Sequence, residues 1–328
     1  MLTLLTLALS LGLLALHLPA SAQPTANGFV LEPASIPVEE ILRGGPPRDG
    51  IPALDEPAVV AADEAPWPDD ERVIGVALGD EARAYPLGVL VWHELVNDTL
   101  GGRPLLVSYC PLCGTGIVFE RTIGGKVRRF GVSGLLYKSD LLMFDRETES
   151  LWSQIHARAV TGPLRDERLV LMRSRIERWA DWRARHPRTT VLSPKTGYQR
   201  DYANPPYGDY ATSDRLVFPA PRDPRYHPKT PVVGLRAADG ASRVYPSVEV
   251  VRAGGTAEGR FAGDTVRVRW NPADGTFDVD APAHVDVIEG FWFAWAAFHP
   301  ETEVFTAERK GSVATDSPRG RPPLPSAP

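Results

Sequence analysis

Alternation of apolar and polar positions predicts the same hairpin at two places in the chain. VIGVALGDEARAYPLGVL from Val73 and VVGLRAADGASRVYPSVEV from Val232 each predict an apolar strand, a turn rich in Gly and Asp, and a second strand that ends at Tyr-Pro. The segments that begin at Trp179 and Trp292 each predict a short amphipathic helix, stopped by His-Pro and followed by a strand. Strand signals outnumber helix signals, so the predicted fold class is α+β, mainly β.

The matched segments indicate an internal duplication, with two degenerate repeats of a β-rich module. GGRPLLVSYCPLCGTGIVF aligns with AGDTVRVRWNPADGTFDVD, so that Tyr109 corresponds to Trp270 and Gly114 to Gly275. Between this turn and the following helix, the first copy has about 48 residues more than the second. We therefore expect a large insertion in the first module, and we expect function in the parts that only this module carries.

Composition shifts divide the chain further. The predicted boundaries are a signal peptide over 1–22, an N-terminal extension over 23–64, a cysteine-bearing module with its insertion over 65–200, an ordered connection over 201–231, a second module without cysteines over 232–310, and a disordered tail over 311–328.

The leucine-rich run at the N-terminus ends at Ala20-Ser21-Ala22, a pattern that signal peptidase cleaves. It predicts a periplasmic or secreted protein, with no membrane insertion after cleavage because no later stretch reaches the ~18 apolar residues of a spanning helix. The run lacks Lys and Arg, so retention as a membrane anchor stays open.

The charge balance argues against a nucleic-acid partner. The chain has 36 basic and 41 acidic residues and a formal net charge of -5. Basic residues form no patch along the sequence that could follow a phosphate backbone. The expected partners are a small molecule or another exported protein, neither of which the sequence identifies.

The only two cysteines, Cys110 and Cys113, lie in Cys-Pro-Leu-Cys-Gly between two apolar segments that predict strands. In an oxidising compartment such a pair tends to form a disulfide, but so short a ring contributes little stability. A thioredoxin-like site places its CxxC at a helix N-terminus, and no helix pattern follows here. The context is typical of a metal knuckle at a hairpin turn, with a plain disulfide as the alternative.

Thiolates favour Zn, Cu or Fe, and two of them leave coordination positions to fill. His93 and His156 are the candidate ligands because they lie in sequence specific to the first module, although either is equally compatible with a core or surface histidine. His186 and His299 occupy matching His-Pro positions, which indicates a structural role. The candidate supporting or ligand-binding residues are Glu94, Ser133, Lys138, Asp140, Asp145, Arg146 and Gln154. Asp145 and Arg146 are also compatible with an ion pair that holds a turn.

Three blocks, YCPLCGTG, RAYPLGVLVWHELVND and SGLLYKSDLLMFDRETESLWSQ, closely resemble a family of exported bacterial and archaeal proteins known as domain of unknown function 3179. The resemblance is strong over about residues 65–235 and implies no reaction. The favoured function is binding of a thiophilic metal ion in a structural or redox role. A thiol–disulfide redox protein, or a ligand- or partner-binding module with an inert disulfide, is the alternative. Whether the protein is an enzyme stays open, and no catalytic residue is assigned.

Overall fold

The computed structural model describes residues 23–308. The predicted signal peptide and the predicted tail lie outside these residues. Within them the chain is mainly β with short α-helices, which confirms the predicted fold class. No helix among residues 23–308 is both long and apolar enough to cross a membrane.

For description we call residues 23–64 the N-terminal extension and residues 65–192 the first module. They comprise these elements: β1 Thr25–Ala26, β2 Phe29–Val30, a 3-10 helix Val38–Glu40, β3 Ile41–Arg43, β4 Leu54–Asp55, β5 Val59–Ala61, β6 Arg72–Leu78, β7 Glu81–Pro86, α1 Leu87–His93, β8 Leu95–Leu100, β9 Arg103–Cys110, β10 Thr115–Glu120, β11 Thr122–Ile123, β12 Lys126–Val127, β13 Phe130–Tyr137, β14 Asp140–Asp145, β15 Leu151–Ser153, β16 Arg158–Ala159, β17 Val170–Met172, β18 Arg175–Arg178, α2 Trp179–Arg185 and β19 Thr190–Leu192.

Residues 231–308, which we call the second module, comprise these elements: β20 Pro231–Arg236, β21 Ser242–Pro246, α3 Ser247–Arg252, β22 Thr256–Phe261, β23 Asp264–Asn271, β24 Thr276–Asp280, β25 Asp286–Phe291, α4 Trp292–Phe298 and β26 Glu303–Val304. Residues 193–230 connect the modules without a strand or helix. We call this segment the connection.

The largest sheet joins the two modules. Its strands lie in the order β26, β21, β20, β25, β10, β9, β8, β4, with β17 paired beside β10. The two modules meet where β10 pairs antiparallel with β25, through a single residue pair, Gly116 with Glu289. The cysteine-bearing hairpin β9–β10 therefore lies in the middle of this sheet, next to the second module.

The segment predicted as an insertion builds a sheet of its own. Strands β16, β15, β14 and β13 follow one another in it, and β3 of the N-terminal extension adds the last edge. All residues of β13 and β14 are buried. Their apolar side chains share one core with both cysteines and with α4. We call this five-stranded sheet, β16-β15-β14-β13-β3, the added sheet, and it is positioned against the cysteine turn.

The two modules show the same pattern of pairing. The predicted hairpins form as β6–β7 and β20–β21. In each module a later strand pairs antiparallel with the first hairpin strand, and a short last strand pairs parallel with the second. Trp182 lies on Gly75, where an added Cβ would come within 2.3 Å of its ring, and Trp295 lies likewise on Gly234. Glycine at these two positions lets each helix approach its sheet closely.

Candidate functional site

The two cysteines flank a tight turn at the end of the β9–β10 hairpin. Cys110 ends β9 and pairs with Thr115, the first residue of β10. The Cys113 N–H donates to the Cys110 carbonyl at 3.2 Å. Gly114 closes the turn at φ +61°, and a Cβ there would lie 2.9 Å from the Phe291 ring. The apolar strands and the CPLCG motif therefore produce the predicted hairpin turn, which packs against the second module.

Asp140 joins the cysteines in one buried cluster. A ligand atom from each of Cys110, Cys113 and Asp140 lies within 4.8 Å of the other two. All three side chains are at most 1% exposed. The Cys113 thiol also donates to the Ser139 carbonyl at 3.4 Å. Asp140 begins β14, so the added sheet supplies the third potential ligand. We call these three residues the thiol–carboxylate cluster.

The β13–β14 turn, which directly precedes Asp140, has a backbone conformation that is unfavourable for its two non-glycine residues. Tyr137 pairs with Asp140, which leaves Lys138 and Ser139 as a two-residue loop. Both have positive φ, 51° and 69°, the combination of a type I′ turn that favours Asn-Gly. A non-glycine residue in this region costs about 1–3 kcal/mol, and such strain concentrates at functional sites. The surrounding fold thus holds the Ser139 carbonyl and Asp140 against the thiols despite an opposing local preference.

Glu94 adds a fourth acidic group to this region. It also has a positive φ, 59°, directly after α1. Burial raises the pKa of Glu94 to about 8, and the charge of Asp140 contributes in the same direction. The pKa of the Cys110 thiol is also raised, mainly by burial, and the negative charge of Glu94 contributes to this increase.

Few compensating groups surround the cluster. Burial raises the pKa of Asp140 to about 7 and that of Cys113 well above its usual range. The Ile155 N–H donates to Asp140 Oδ2 at 3.2 Å, whereas Asp140 Oδ1 and Ser139 Oγ have no partner within residues 23–308. The positive charge near the cluster comes from Lys229, which interacts electrostatically with Cys113. Burial lowers the pKa of the Lys229 ammonium to about 8. Acidic groups therefore outnumber the nearby positive charge.

The connection covers this region. Burial is the main cause of the raised pKa values of Tyr207 and Tyr210. The charges of Glu94 and Cys110 also raise the pKa of Tyr207. The two thiols do the same for Tyr210. Tyr210 is 1% exposed, and the Lys229 ammonium lies 3.5 Å from its ring centroid. The thiols are consequently shielded from solvent by the connection as well as by the added sheet.

His93 lies outside the thiol–carboxylate cluster. Its Nδ1 is 2.7 Å from the Pro52 carbonyl, and its Nε2 is 2.8 Å from the Tyr202 hydroxyl. Both ring nitrogens therefore have protein partners, and burial lowers the pKa of the imidazole. The observed contacts tie α1 to the N-terminal extension and to the connection.

His156 also lies outside the cluster. Its ring packs 4.8 Å from the Phe298 ring and 6.0 Å from the Tyr137 ring. Burial lowers its pKa to about 4, and nearby basic residues contribute. Lys138 donates to the Ala297 carbonyl at 2.9 Å in the same region. These residues join the added sheet to α4 of the second module.

The other sequence-predicted residues hold the added sheet together. Ser133 donates to the Leu142 carbonyl at 2.5 Å across the β13–β14 pair. Asp145 accepts hydrogen bonds from Thr148 and from the Trp152 indole. Arg146 makes a bidentate pair with Asp49, so the interpretation of an Asp145–Arg146 ion pair is wrong.

Gln154 links the added sheet to the cysteine hairpin. Its amide donates to the Ser108 hydroxyl at 2.9 Å and to the Thr115 carbonyl at 3.2 Å. Its Oε1 is buried and has no partner within the described residues. Ser108 and Thr115 belong to the two strands that carry the turn, so Gln154 positions that hairpin.

Sequence reasoning did not identify Ser139, Tyr207, Tyr210 or Lys229 as neighbours of the thiols. Ser139 directly precedes Asp140, and a predicted turn at Lys138–Ser139 would have indicated that its carbonyl is available. The other three lie in the connection, whose sequence has no period from which contacts can be deduced.

The resemblance noted in the sequence is confirmed by comparison with protein families. No curated protein and no solved structure matches the chain. The family described as Protein of unknown function (DUF3179) matches residues 48–286, which is most of the chain. The protein belongs to this family.

Proposed function

We propose that this protein is an exported metal-binding protein, with Cys110, Cys113 and Asp140 as ligands for one thiophilic ion. The observation that carries the proposal is the buried thiol–carboxylate cluster, in which Asp140 Oδ1 has no hydrogen-bond partner within the described residues. Glu94 lies close enough to raise the pKa of Cys110 and could complete or steady the site.

The energetics of burial support a cation. An unpaired buried carboxylate or thiolate is costly, and a protein normally compensates it with a counter-ion or keeps it protonated. A divalent ion bound by the two thiols and Asp140 would favour their deprotonated forms and supply the missing positive charge. The metal would thus offset the cost of burying negative charge, which raises the pKa values of Cys110, Cys113 and Asp140.

The donor set narrows the choice of ion among Zn, Cu and Fe. Zn²⁺ accepts cysteine sulfur and carboxylate oxygen in one tetrahedral site, whereas Cu(I) prefers purely soft ligands. Two sulfurs and one oxygen therefore favour Zn²⁺, with Fe²⁺ next. Because the side chains are buried and covered by the connection, a structural or slowly exchanging ion fits better than one open to bulk solvent.

A thiol–disulfide function is the second candidate, because the two sulfur atoms lie close together in the turn. Burial argues against it, since thiol exchange needs an accessible thiolate and the pKa of both thiols is raised. An inert disulfide in a binding module would also be consistent with burial.

The matched pairing patterns support a further part of the proposal. We infer that the two modules are degenerate copies of one ancestral unit, and that the added sheet is an insertion that brought Asp140 to the first turn. The second turn, with Asn271 and Asp274 in place of the cysteines, would then be the plain version of the same structure.

The test is the metal content of the full chain, expressed with residues 1–22 and purified without chelator from the periplasm or medium. Elemental mass spectrometry should find about one ion per chain, with loss in Cys113→Ser and Asp140→Asn. His93→Ala should retain the ion because the His93 ring nitrogens contact Pro52 and Tyr202. Asp274→Asn in the second turn is the matched control and should also retain it.

Thiol alkylation in the same samples separates the alternatives. Metal-loaded protein should show two thiols that react only after the metal is removed. Protein without metal and without alkylatable thiols would contradict the proposal and indicate a disulfide, whose reduction potential would then distinguish redox exchange from an inert link.

A further inference from the structure

A cavity of about 510 Å³ lies between the two modules, on the outer side of the cysteine turn. Gly114 and Tyr109 line it from the first module, while Trp270, Gly275 and Phe291 line it from the second. Its volume is within the range of about 300–1,000 Å³ that is usual for small-molecule sites.

The cavity is bounded by equivalent positions of the two modules. Tyr109 and Trp270 occupy matching places in the aligned hairpins, as do Gly114 and Gly275. Both glycines have positive φ, 61° and 65°, and close their turns without a side chain. Both turns therefore border one cavity, and each contributes an aromatic side chain to it. At Gly114 the missing Cβ makes room for the Phe291 ring.

The charged lining residues are all basic. These residues are Arg72 and Lys229, and no lining residue is acidic. His227 also lines the cavity, and its Nδ1 accepts a hydrogen bond from the Lys229 backbone N–H. Within residues 23–308 the exposed Arg72 side chain makes no hydrogen bond or ion pair, so its guanidinium is available to a ligand. The Lys229 ammonium donates to the Ser213 and Arg215 carbonyls at 3.3 and 2.7 Å, which fixes its charge beside the cavity.

One acidic residue outside the lining interacts with Arg72. The pKa of Glu289 is raised to about 7 by burial, and Arg72 acts in the opposite direction. The two side chains are not within ion-pair distance. Glu289 therefore weakens the attraction of Arg72 for an anion without occupying its donors.

We propose that this cavity binds a small organic anion with a flat apolar body. The anionic group would pair with Arg72, whose planar guanidinium suits a carboxylate. The apolar body would contact Tyr109, Trp270 and Phe291, since aromatic side chains provide large apolar contact areas. The proposal does not depend on a metal in the thiol–carboxylate cluster.

The test compares 2-naphthoate with its uncharged isostere 2-naphthamide by isothermal titration calorimetry at low salt. Naphthoate should bind about tenfold more tightly than the amide, as expected for one charge-assisted contact. Arg72→Gln should abolish that preference while leaving amide affinity unchanged, and Trp270→Leu should weaken both ligands. Arg103→Gln, at the far end of the strand that carries Tyr109, should change neither.

The same titrations in chelator-treated and metal-supplemented protein separate this proposal from the metal proposal. Equal naphthoate preference in both samples would support a cavity that functions independently of the cluster. Absence of naphthoate binding at millimolar concentration, or a preference unchanged in Arg72→Gln, would overturn the proposal. Thermal melting of each variant confirms that the fold is retained.

Discussion

The hairpin turns of the two modules have nearly the same backbone and opposite surroundings. Cys110 pairs with Thr115 in the first, and Asn271 pairs with Thr276 in the second, so both loops have the same length and register. The cysteines of the first turn are at most 1% exposed, whereas Asn271 is exposed and hydrogen-bonds to Asp274 across the second turn. Backbone geometry alone therefore does not make either turn a site.

The difference comes from what covers each turn. The β13–β14 hairpin and the connection cover the first turn, whereas only residues 281–285 separate β24 from β25 in the second module. Burial removes water from the thiols and from Asp140, which turns ordinary polar groups into groups that require a proton or a cation. The same turn is a surface loop in one module and a candidate metal centre in the other because of this added layer.

Exchanging the turns gives the largest expected effect. Cys110→Asn with Cys113→Asp would bury an amide and a further carboxyl beside Asp140 and Glu94. The two new side chains could hydrogen-bond to each other, as Asn271 and Asp274 do, but their remaining polar atoms would be buried without partners. Each such buried group costs about 1–3 kcal/mol, so we expect a loss of about 3 kcal/mol or more in the free energy of unfolding. Urea unfolding followed by circular dichroism measures it in chelator-treated protein.

The reverse exchange is the control for this prediction. Asn271→Cys with Asp274→Cys should change the free energy of unfolding by about 1 kcal/mol or less, because Asn271 is exposed and the Arg178–Asp274 ion pair that is lost is partly exposed. It should retain no additional metal, since it has no counterpart of Asp140. Stoichiometric metal at the second turn would show that the turn by itself is sufficient and that the added layer is not required.

Stability against pH provides the second prediction. The folded-state pKa values of Glu94 and Asp140, about 8 and 7, lie above their unfolded values. The folded protein therefore holds protons that the unfolded chain has released, and the stability of metal-free protein should fall as pH rises toward 8. His156 and His299, with pKa values lowered to about 4 and 3, have the opposite effect only below about pH 6.5.

In the window from pH 6.5 to 8, the main contributions therefore come from the buried carboxyls of Glu94 and Asp140, together with Glu289, whose pKa is raised to about 7 by burial. Thermal melts should show metal-free protein losing stability across it, while metal-supplemented protein gains stability because the ligands bind as anions. Glu94→Gln should flatten the metal-free slope and raise stability at pH 8 by roughly a few kcal/mol. If the variant has the same slope as the wild type, Glu94 does not cause the pH dependence.

Local sequence patterns predicted the hairpins and the cysteine turn, whereas the third potential ligand, Asp140, depends on tertiary contacts. Asp140 was only a supporting candidate because its approach to the thiols requires two separate hairpins to pack together. His93 and Glu94 are adjacent in sequence, but α1 ends at His93 and Glu94 has a positive φ, so their side chains point to different parts of the protein. His93 then contacts Pro52 and Tyr202, while Glu94 interacts with Asp140. The pattern of apolar and polar residues does not predict that these two neighbours have different contacts.

The smallest expected effect concerns the strained turn that presents Asp140. Ser139→Gly would relieve a positive φ of 69° and remove a buried hydroxyl that has no partner in the described residues. Because glycine also makes the unfolded chain more flexible, we expect a net gain of only about 1 kcal/mol in metal-free protein. Metal affinity, measured by competition with a chromogenic chelator, should fall because Asp140 is held less firmly.

Ala262→Gly is the matched control in the second module, where Ala262 has a φ of 50° in the β22–β23 turn. It should relieve strain without changing metal affinity. A rise in stability together with a fall in affinity, seen only at Ser139, would identify the backbone strain as part of the site. Equal behaviour of the two variants would instead make the Lys138–Ser139 turn an ordinary hairpin loop, and the difference between the modules would rest on burial alone.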